Sequence, residues 1–279
     1  MNSPPTKLSL EQLNNHYILF RHGQSKANSA KIVVSHPENG IPSSGVGPPS
    51  PASSSSEGNG WGLTQLGKEQ VKSASQNMLN YLYNNFPSGY HLNDQQKKRD
   101  DDRNNEEFNN PSQNQFSLSK RIHIKIYSSP FLRTIETANI LLTELLNNGR
   151  DEPYVDVTVH PEVIVHDDLR ERNFGIFELR SDHESYSKVW AIDESITTPS
   201  NNEYKEIGVE SCEQVRSRMC DVIREIEQHS ELLKEHLVVV FVSHGDSLQI
   251  LQTAFENVEA NLHRSLNHIG TAEWKVFWS

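Results

Sequence analysis

Two histidines directly follow apolar, β-favouring runs, where strands of an open α/β sheet are predicted to end. Arg21 and His22 come after residues 17–20, and His244 follows a second run at residues 238–242. Each histidine precedes a glycine, which permits a sharp turn and a close backbone approach to a ligand. Ligands of such sheets bind outside the carboxyl ends of the strands, so a binding crevice is predicted here. The alternative is a solvated arginine beside a structural histidine, because Arg-His-Gly is a short motif.

The residues that follow these strand ends favour an anion as the ligand. Asp246 is predicted as the N-cap of a helix after His244, and the free N–H groups at a helix start bind anions. Arg133 lies at the start of another predicted helix, after an alternating strand at residues 122–127. The first turn of a helix prefers acids to bases, and a nearby anion would resolve that misfit.

Four segments resemble, in order, the motifs of the histidine phosphatase superfamily, which has the phosphoglycerate-mutase-like fold. Each motif alone is weak, whereas the ordered set is specific. The resemblance extends from about residue 17 to near the C-terminus, with two interruptions. The segments are residues 21–23, 128–138, 169–175 and 243–246.

The resemblance implies a fold and a set of site residues. The fold is a three-layer α/β/α sandwich with a mostly parallel central sheet. His22 would accept a phosphoryl group, and Glu171 would act as the acid. From the sequence alone, the acidic residues around Glu171 are more typical of a solvated loop. Ser25 and Asn28 match polar positions of the family's first loop, although roles on a surface loop are the alternative. The implied residues are His22, Glu171 and His244 for catalysis, and Arg21, Arg133, His244, Asn28 and Ser25 for phosphate binding.

The reaction that the resemblance favours is hydrolysis of a small phosphomonoester through a phosphohistidine. A mutase is the first alternative, but family mutases have extra basic residues after the acid-bearing loop, including an Arg-Arg pair. Residues 176–207 contain only Arg180, Lys188 and Lys205 as basic residues. An inactive scaffold is the second alternative, and the loss of a catalytic residue that would indicate it is not seen.

Length and charge restrict the class of protein. With 279 residues, the chain is long enough for one domain, 1–279, with a sizeable core. The formal net charge of −11 argues against binding to nucleic acid or to anionic membranes. No apolar run has the length of a membrane span, and the first residues lack the pattern of a secretory signal. We therefore expect a soluble cytoplasmic protein whose partner is a small phosphorylated substrate; protein partners are unknown.

No cofactor and no metal are predicted. Cys212 and Cys220 fall on one predicted helix, about 12 Å apart at ~1.5 Å per residue, so they cannot form a disulfide with each other. The spacings of cysteine and histidine that are typical of zinc sites are missing. The arginines of the site provide the positive charge that a phosphate needs.

Two segments have the composition of disordered insertions. Residues 35–60 are rich in Pro, Gly and Ser, and residues 88–119 are rich in Asn, Asp, Gln and Lys. A lid over the site is an alternative for the first, and a partner-docking segment for the second. Residues 174–202 are predicted to be irregular, with Phe177, Tyr186 and Trp190 as packing or pocket residues.

Overall fold

One sheet forms the centre of the fold, in a computed structural model that describes residues 13–42, 61–85, 120–148, 155–195 and 203–277. Strands that are apolar on both faces, as in residues 238–242, are typical of a sheet covered by helices on both sides. Within the described ranges, the sheet consists of β1 (His16–Arg21), β2 (Lys120–Ser128), β3 (Val155–Val159), β4 (Ile164–Val165), β5 (Val238–Ser243) and β6 (Trp274–Phe277).

The strand order places β5 at the centre. The order is β3-β2-β5-β1-β6, and the short β4 pairs with β2 beyond the end of β3. The pairs β1 with β5, β2 with β5, β2 with β3 and β2 with β4 are all parallel. Only β6 runs antiparallel, against β1 at the sheet edge. The predicted mostly parallel sheet is therefore confirmed.

Helices cover both faces of the sheet, and the alternation of side chains along β1 shows this directly. Tyr17 and Leu19 belong to the core cluster of α7 and α8, defined below, whereas Ile18 and Phe20 belong to that of α3 and α4. Successive residues of a strand point to opposite faces, so both faces of β1 are buried. The helices are α1 (Lys26–Ala30), α2 (Pro37–Gly40), α3 (Gln65–Asn85), α4 (Leu132–Asn148), α5 (Asp182–Ser195), α6 (Glu203–Ile207), α7 (Cys212–Leu233) and α8 (Gly245–Phe255).

The prediction that residues 174–202 are irregular is wrong for α5, which occupies residues 182–195. The buried positions of this helix are Ser185, Val189 and Asp193, which follow one another at helical spacing. Only one of the three is apolar, so these buried positions form no apolar stripe. Val189, Tyr186 and Ile192 pack in a small core cluster, and the polar contacts described below add to this packing.

The predicted start of the helix after β5 is also shifted. His244, in extended conformation, occupies the N-cap position, and Asp246 lies in the first turn of α8. Asp246 is not the cap, because its two carboxylate oxygens accept hydrogen bonds from Trp190 and Arg172. The N-cap of α7 is Ser211.

The first predicted insertion is partly structured. Ser35 is buried, and its N–H and hydroxyl both donate to Glu178 Oε2, at 2.8 and 2.7 Å. Asn39 in α2 donates to Glu178 Oε1 at 2.9 Å. The prediction of disorder is therefore wrong for residues 35–42, because a carboxylate distant in the chain holds them. Residues 43–60 and the second predicted insertion, 88–119, lie outside the described residues, and a single domain over 1–279 stays a prediction.

Two further expectations concern the helices. Cys212 and Cys220 are both on α7, and both are buried free thiols. Among the helices that the structure describes, none combines the length and the apolar character needed to cross a membrane.

Replacement of Gly67 tests how closely α3 packs against the loop after β1. A Cβ atom at Gly67 would lie 2.1 Å from the backbone oxygen of Gln24. Alanine normally stabilises a helix relative to glycine by about 0.5–1 kcal/mol. We expect Gly67→Ala instead to lower the free energy of unfolding by about 1–3 kcal/mol in urea titrations, because the clash is with backbone.

The matched control is Ser73→Ala, at an exposed position of the same helix. Its free energy of unfolding should stay within about 0.5 kcal/mol of the wild type. A Gly67→Ala variant as stable as the control would contradict the close packing.

Candidate active site

The ends of β1 and β5 bring two histidines together. The strands are parallel neighbours with Arg21 opposite Ser243, so the next residues, His22 and His244, lie at the same edge of the sheet. The backbone N–H of His22 donates to the Ser243 carbonyl at 3.0 Å. Both imidazoles are buried, and their ring centroids are 5.2 Å apart.

Arg133 lies between these histidines. The turn after β2, the other neighbour of β5, leads into the first turn of α4, where Arg133 is buried. Its Nε donates to His22 Nε2 and His244 Nδ1, both at 3.2 Å. Its Nη2 donates to the Val34 carbonyl at 2.9 Å, and its Cζ lies 4.8 Å from the centroid of the Phe131 ring. Among the described residues, no carboxylate forms a salt bridge with this guanidinium.

These hydrogen bonds assign the tautomer of each histidine. Since His22 Nε2 accepts from Arg133, its proton is on Nδ1, which donates to the Gly23 carbonyl at 2.7 Å. Since His244 Nδ1 accepts from Arg133, its proton is on Nε2, which donates to Ser129 Oγ at 2.8 Å. His22 Nε2 therefore presents a lone pair toward the centre of the site.

Burial and positive charge keep both imidazoles neutral. Burial lowers the pKa of His22 well below its usual range, and the charges of Arg133 and Arg21 lower it further. The pKa of His244 is lowered in the same way, first by burial and then by Arg133. A neutral imidazole is the nucleophilic form, so His22 is in the reactive state at neutral pH.

Glu171 lies on the far side of His244 from Ser129. Its Oε1 accepts from the Arg172 N–H and from Ser247 Oγ, each at 3.0 Å, while Oε2 lies 3.9 Å from His244 Nδ1. Burial raises the pKa of this carboxyl, although the charge of Arg133 opposes the shift. A buried carboxyl with a raised pKa is suited to donate a proton.

Arg21 adds a second guanidinium to the pocket. Its Nη1 donates to His268 Nε2 at 2.7 Å and to the Ile269 carbonyl at 3.0 Å. Gly245 permits this approach, because a Cβ atom there would lie 2.9 Å from Arg21 Cζ. Within the described part of the chain, Arg21 Nε and Arg133 Nη1 are buried donors without an acceptor. Buried donors of this kind normally have a partner, and an anion would provide one.

Ser25 and Asn28 line the same pocket but hold each other. Asn28 Oδ1 accepts from the Ser25 N–H at 3.0 Å and from Ser25 Oγ at 2.9 Å, and the Asn28 N–H donates to Ser25 Oγ at 3.2 Å, which makes Ser25 the N-cap of α1. The Ser25 hydroxyl proton is therefore committed to Asn28. Binding of phosphate by these two residues stays a prediction, and for Ser25 it requires the hydroxyl to rotate away from Asn28.

A fully buried arginine, Arg172, holds the loop that carries Glu171. Arg172 donates to both oxygens of Asp193 in α5, at 2.8 and 2.7 Å, and to Asp246 in α8 at 3.1 Å. Tyr204 donates to Asp193 at 2.6 Å. This network, which we call the Arg172 network, joins the residue next to Glu171 to two helices of the pocket.

The described residues include one cluster with the donor types of a metal site. Ligand atoms of Asp193, Cys212 and His263 lie within 4.8 Å of one another, and all three residues are buried. Asp193 already uses both oxygens for Arg172 and Tyr204, and burial raises the pKa of the Cys212 thiol. The cluster therefore fits a hydrogen-bond network better than a cation site.

Sequence reasoning missed three polar residues of the site. Ser129 and Ser247 orient His244 and Glu171, and His268 accepts from Arg21. Ser129 lies inside the segment that resembles the family and Ser247 lies three residues after His244, so proximity to the motifs could have indicated both. No sequence pattern indicates His268, which reaches Arg21 only through the tertiary fold.

The family of the chain follows from a match to a known family model. The model of the histidine phosphatase superfamily (branch 1) matches residues 115–277, more than half of the 279 residues. The chain belongs to the histidine phosphatase superfamily. The predicted resemblance is thereby confirmed, and the match includes Arg133, Glu171 and His244 but not His22. No curated protein matches this superfamily member significantly in sequence.

Solved structures share the fold at low sequence identity. A mycobacterial glucosyl-3-phosphoglycerate phosphatase is 17% identical, with a TM-score of 0.55 over 94% of this chain and 90% of that chain. A phosphoserine phosphatase from Entamoeba histolytica is 15% identical, with a TM-score of 0.51 over 94% and 89%. A protein described as mycobacterial hydrolase 1 is 15% identical, with a TM-score of 0.54 over 94% and 88%. These likenesses support the α/β architecture.

Removal of the Ser247 hydroxyl tests whether its hydrogen bond to Glu171 contributes to the pKa of that carboxyl. The hydrogen bond from Ser247 stabilises the ionised carboxylate and so lowers its pKa. In Ser247→Ala we expect the Glu171 titration to move upward by about 0.5–1 pH unit, the equivalent of one hydrogen bond of ~1 kcal/mol. The measurement is NMR titration of 13C-labelled glutamate carboxyls, with assignment of Glu171 by the Glu171→Gln spectrum.

The control is Ser265→Ala, which removes an exposed hydroxyl that donates to the Leu262 carbonyl. It should leave the Glu171 titration unchanged. An unchanged or lower midpoint in Ser247→Ala would show that the serine does not contribute to the pKa of Glu171.

Proposed function

We propose that the protein is a phosphatase that hydrolyses a small phosphomonoester through a phosphohistidine on His22. The observation on which this rests is the geometry of His22 Nε2, whose lone pair faces Arg133 Nε at 3.2 Å while Nδ1 is fixed by the Gly23 carbonyl. A neutral, oriented imidazole beside a buried guanidinium fits the needs of nucleophilic attack on a phosphate.

In the first step, the phosphate would bind where Arg21 and Arg133 have donors without acceptors. The two guanidiniums offset the charge on the non-bridging oxygens, whereas a hydrogen bond from His244 to the phosphate would require its proton to move from Nε2 to Nδ1. Arg133 Nε turns from His22 Nε2 to a phosphate oxygen, which frees the lone pair of that nitrogen. His22 Nε2 then attacks phosphorus, and the bond from phosphorus to the ester oxygen breaks. Glu171 gives its proton to that oxygen, so the leaving group departs as a neutral alcohol.

In the second step, water would discharge the phosphohistidine. The Glu171 carboxylate left by the first step takes a proton from the water, whose oxygen attacks phosphorus. The bond from phosphorus to His22 Nε2 breaks, and inorganic phosphate leaves. His22 returns to its neutral tautomer, and Glu171 returns to its acid form, so the cycle closes with no net proton transfer to the protein.

Hydrolysis is favoured over a mutase reaction because few cations surround the pocket. Arg180, Lys188 and Lys205, the basic residues after the acid-bearing loop, do not line it. Lys188 Nζ instead lies 6.0 Å from the centroid of the Phe177 ring. An inactive scaffold is disfavoured because the fold assembles the histidines, arginines and glutamate that the chemistry needs. Since two arginines provide positive charge, we also propose that turnover needs no metal.

Replacement of the nucleophile gives the first test. In His22→Ala, phosphate release from phenyl phosphate should fall by about 10³-fold or more, and the acid-labile phosphoprotein should disappear. Mass spectrometry after a rapid alkaline quench detects the adduct, because phosphohistidine is stable in base, and the assay is run with and without EDTA. His229→Ala, at an exposed position of α7, is the matched control and should retain both adduct and turnover. A phosphohistidine that persists in His22→Ala would assign the nucleophile elsewhere.

The role of Glu171 predicts a dependence on the leaving group. With phenyl phosphate, whose phenolate needs a proton, Glu171→Gln should lower kcat by about 10²–10³-fold. With 4-nitrophenyl phosphate, whose anion leaves readily, the formation of the phosphohistidine should be affected much less. Burst kinetics on both esters separate the two steps, with Glu231→Gln on the exposed end of α7 as control. Equal losses on both esters would indicate a structural role for Glu171.

A further inference from the structure

The pocket is lined by two chemically different sets of residues. Around His22, the side chains of Arg21 and Arg133 are strongly positive, and the Val34 carbonyl accepts from Arg133. The pocket is also lined by Tyr186 and Trp190 of α5, which we call the aromatic side, and by Ala27 and Ile32, which we call the apolar side.

The two rings of the aromatic side stack on each other, and Arg264 covers the outer face of the indole. The rings of Tyr186 and Trp190 stack at 5.0 Å, with 13° between their planes. Arg264 Cζ lies 3.8 Å from the centroid of the Trp190 ring, and its Nη1 donates to Gln249. Since Tyr186 occupies one face of the indole, Arg264 must lie on the other face, outside the pocket. The Tyr186 hydroxyl has no hydrogen-bond partner within the described residues and is free to bind a ligand group.

The ionised group on this side is an acid. Asp246 lines the pocket and accepts from Trp190 Nε1 at 2.9 Å and from Arg172 at 3.1 Å. Burial opposes its ionisation, but the neighbouring His263, Arg172 and Trp190 together hold its pKa well below the usual range. A second anion placed beside it would be repelled.

Among the described residues that line the pocket, no cation is left to bind a second anionic group. Arg21 and Arg133 would be used by the phosphate, and Arg172 is fully paired with Asp193 and Asp246. His268 also lines the pocket, but burial and the charge of Arg21 lower its pKa to about 4, so it is neutral at pH 7.

We propose that the leaving group of the substrate is an uncharged alcohol, such as a polyol or a phenol, and that carboxylate-bearing phosphoesters are poor substrates. This inference rests on the proposed phosphatase function and specifies its substrate class. Tyr186 and Trp190, which line the pocket, provide uncharged contacts for the leaving group, and the Tyr186 hydroxyl provides one neutral hydrogen bond.

Two matched pairs of esters test this inference. Glycerol 3-phosphate has an alcohol group where 3-phosphoglycerate has a carboxylate. In the second pair, 4-carbamoylphenyl phosphate has an amide where 4-carboxyphenyl phosphate has a carboxylate. We expect kcat/KM to be at least about tenfold higher for the uncharged member of each pair, mainly through KM. Equal values, or a preference for the carboxylates, would overturn the inference.

A charge introduced into the pocket provides a second measurement. Ile32→Lys adds a cation to the apolar side and should raise kcat/KM for 3-phosphoglycerate relative to glycerol 3-phosphate by about tenfold. Leu232→Lys adds the same charge at a position that is 82% exposed, near the C-terminal end of α7, and should leave the ratio unchanged. A shift of the ratio in both variants would show that general charge, not the pocket, decides selectivity.

The phosphoprotein assay separates this inference from the proposed function. If His22 is phosphorylated by 3-phosphoglycerate as efficiently as by glycerol 3-phosphate, the function stands and the inference is wrong. If no ester of the four phosphorylates His22 or releases phosphate, the proposed function itself is wrong, and the inference falls with it.

Discussion

The site depends on a buried arginine whose charge no described carboxylate neutralises directly. Arg133 is held by neutral acceptors alone: two imidazole nitrogens and the Val34 carbonyl. Burial of a charge without a counter-ion is costly, so the rest of the fold must offset that cost. The ends of β1 and β5 and the segment after α1 all meet at this guanidinium. The protein is therefore preorganised for an anion, whose binding would relieve the largest electrostatic imbalance of the site.

A second buried arginine shows the opposite arrangement. Arg172 is bound by two carboxylates, Asp193 and Asp246, and is neutralised by them. Its function is to connect elements, since it adjoins Glu171 in the chain and joins α5 to α8. The two arginines are thus distinguished by their partners. Arg172 satisfies its charge within the protein and fixes the geometry, whereas Arg133 leaves its charge available to a ligand.

The parts of the fold that depend on apolar periodicity could be predicted from the sequence. The parts that are held by polar contacts between residues far apart in the chain were missed. The central strands and the residues at their ends follow from local patterns. Residues 35–42 are ordered through Ser35 and Glu178, which are far apart in the chain, and α5 is attached through Asp193 and Arg172. Composition and periodicity contain no information about such pairs, so both segments looked irregular. The candidate site residues could be selected because the order of their segments along the chain resembles a family.

Burial shifts the pKa values of His22 and Glu171, the proposed nucleophile and acid, in opposite directions. In water, histidine is mostly neutral only above its usual pKa, and glutamic acid is mostly protonated only below its own usual pKa, which is lower. No pH in water therefore gives mostly neutral imidazole together with mostly protonated carboxyl. A low-dielectric site disfavours the charged form of each: the pKa of His22 falls and that of Glu171 rises. Arg133 strengthens the first shift and weakens the second. Because burial is the larger influence on Glu171, the two pKa values move toward each other, which favours the neutral imidazole and the protonated carboxyl that the proposed phosphoryl transfer through His22 needs.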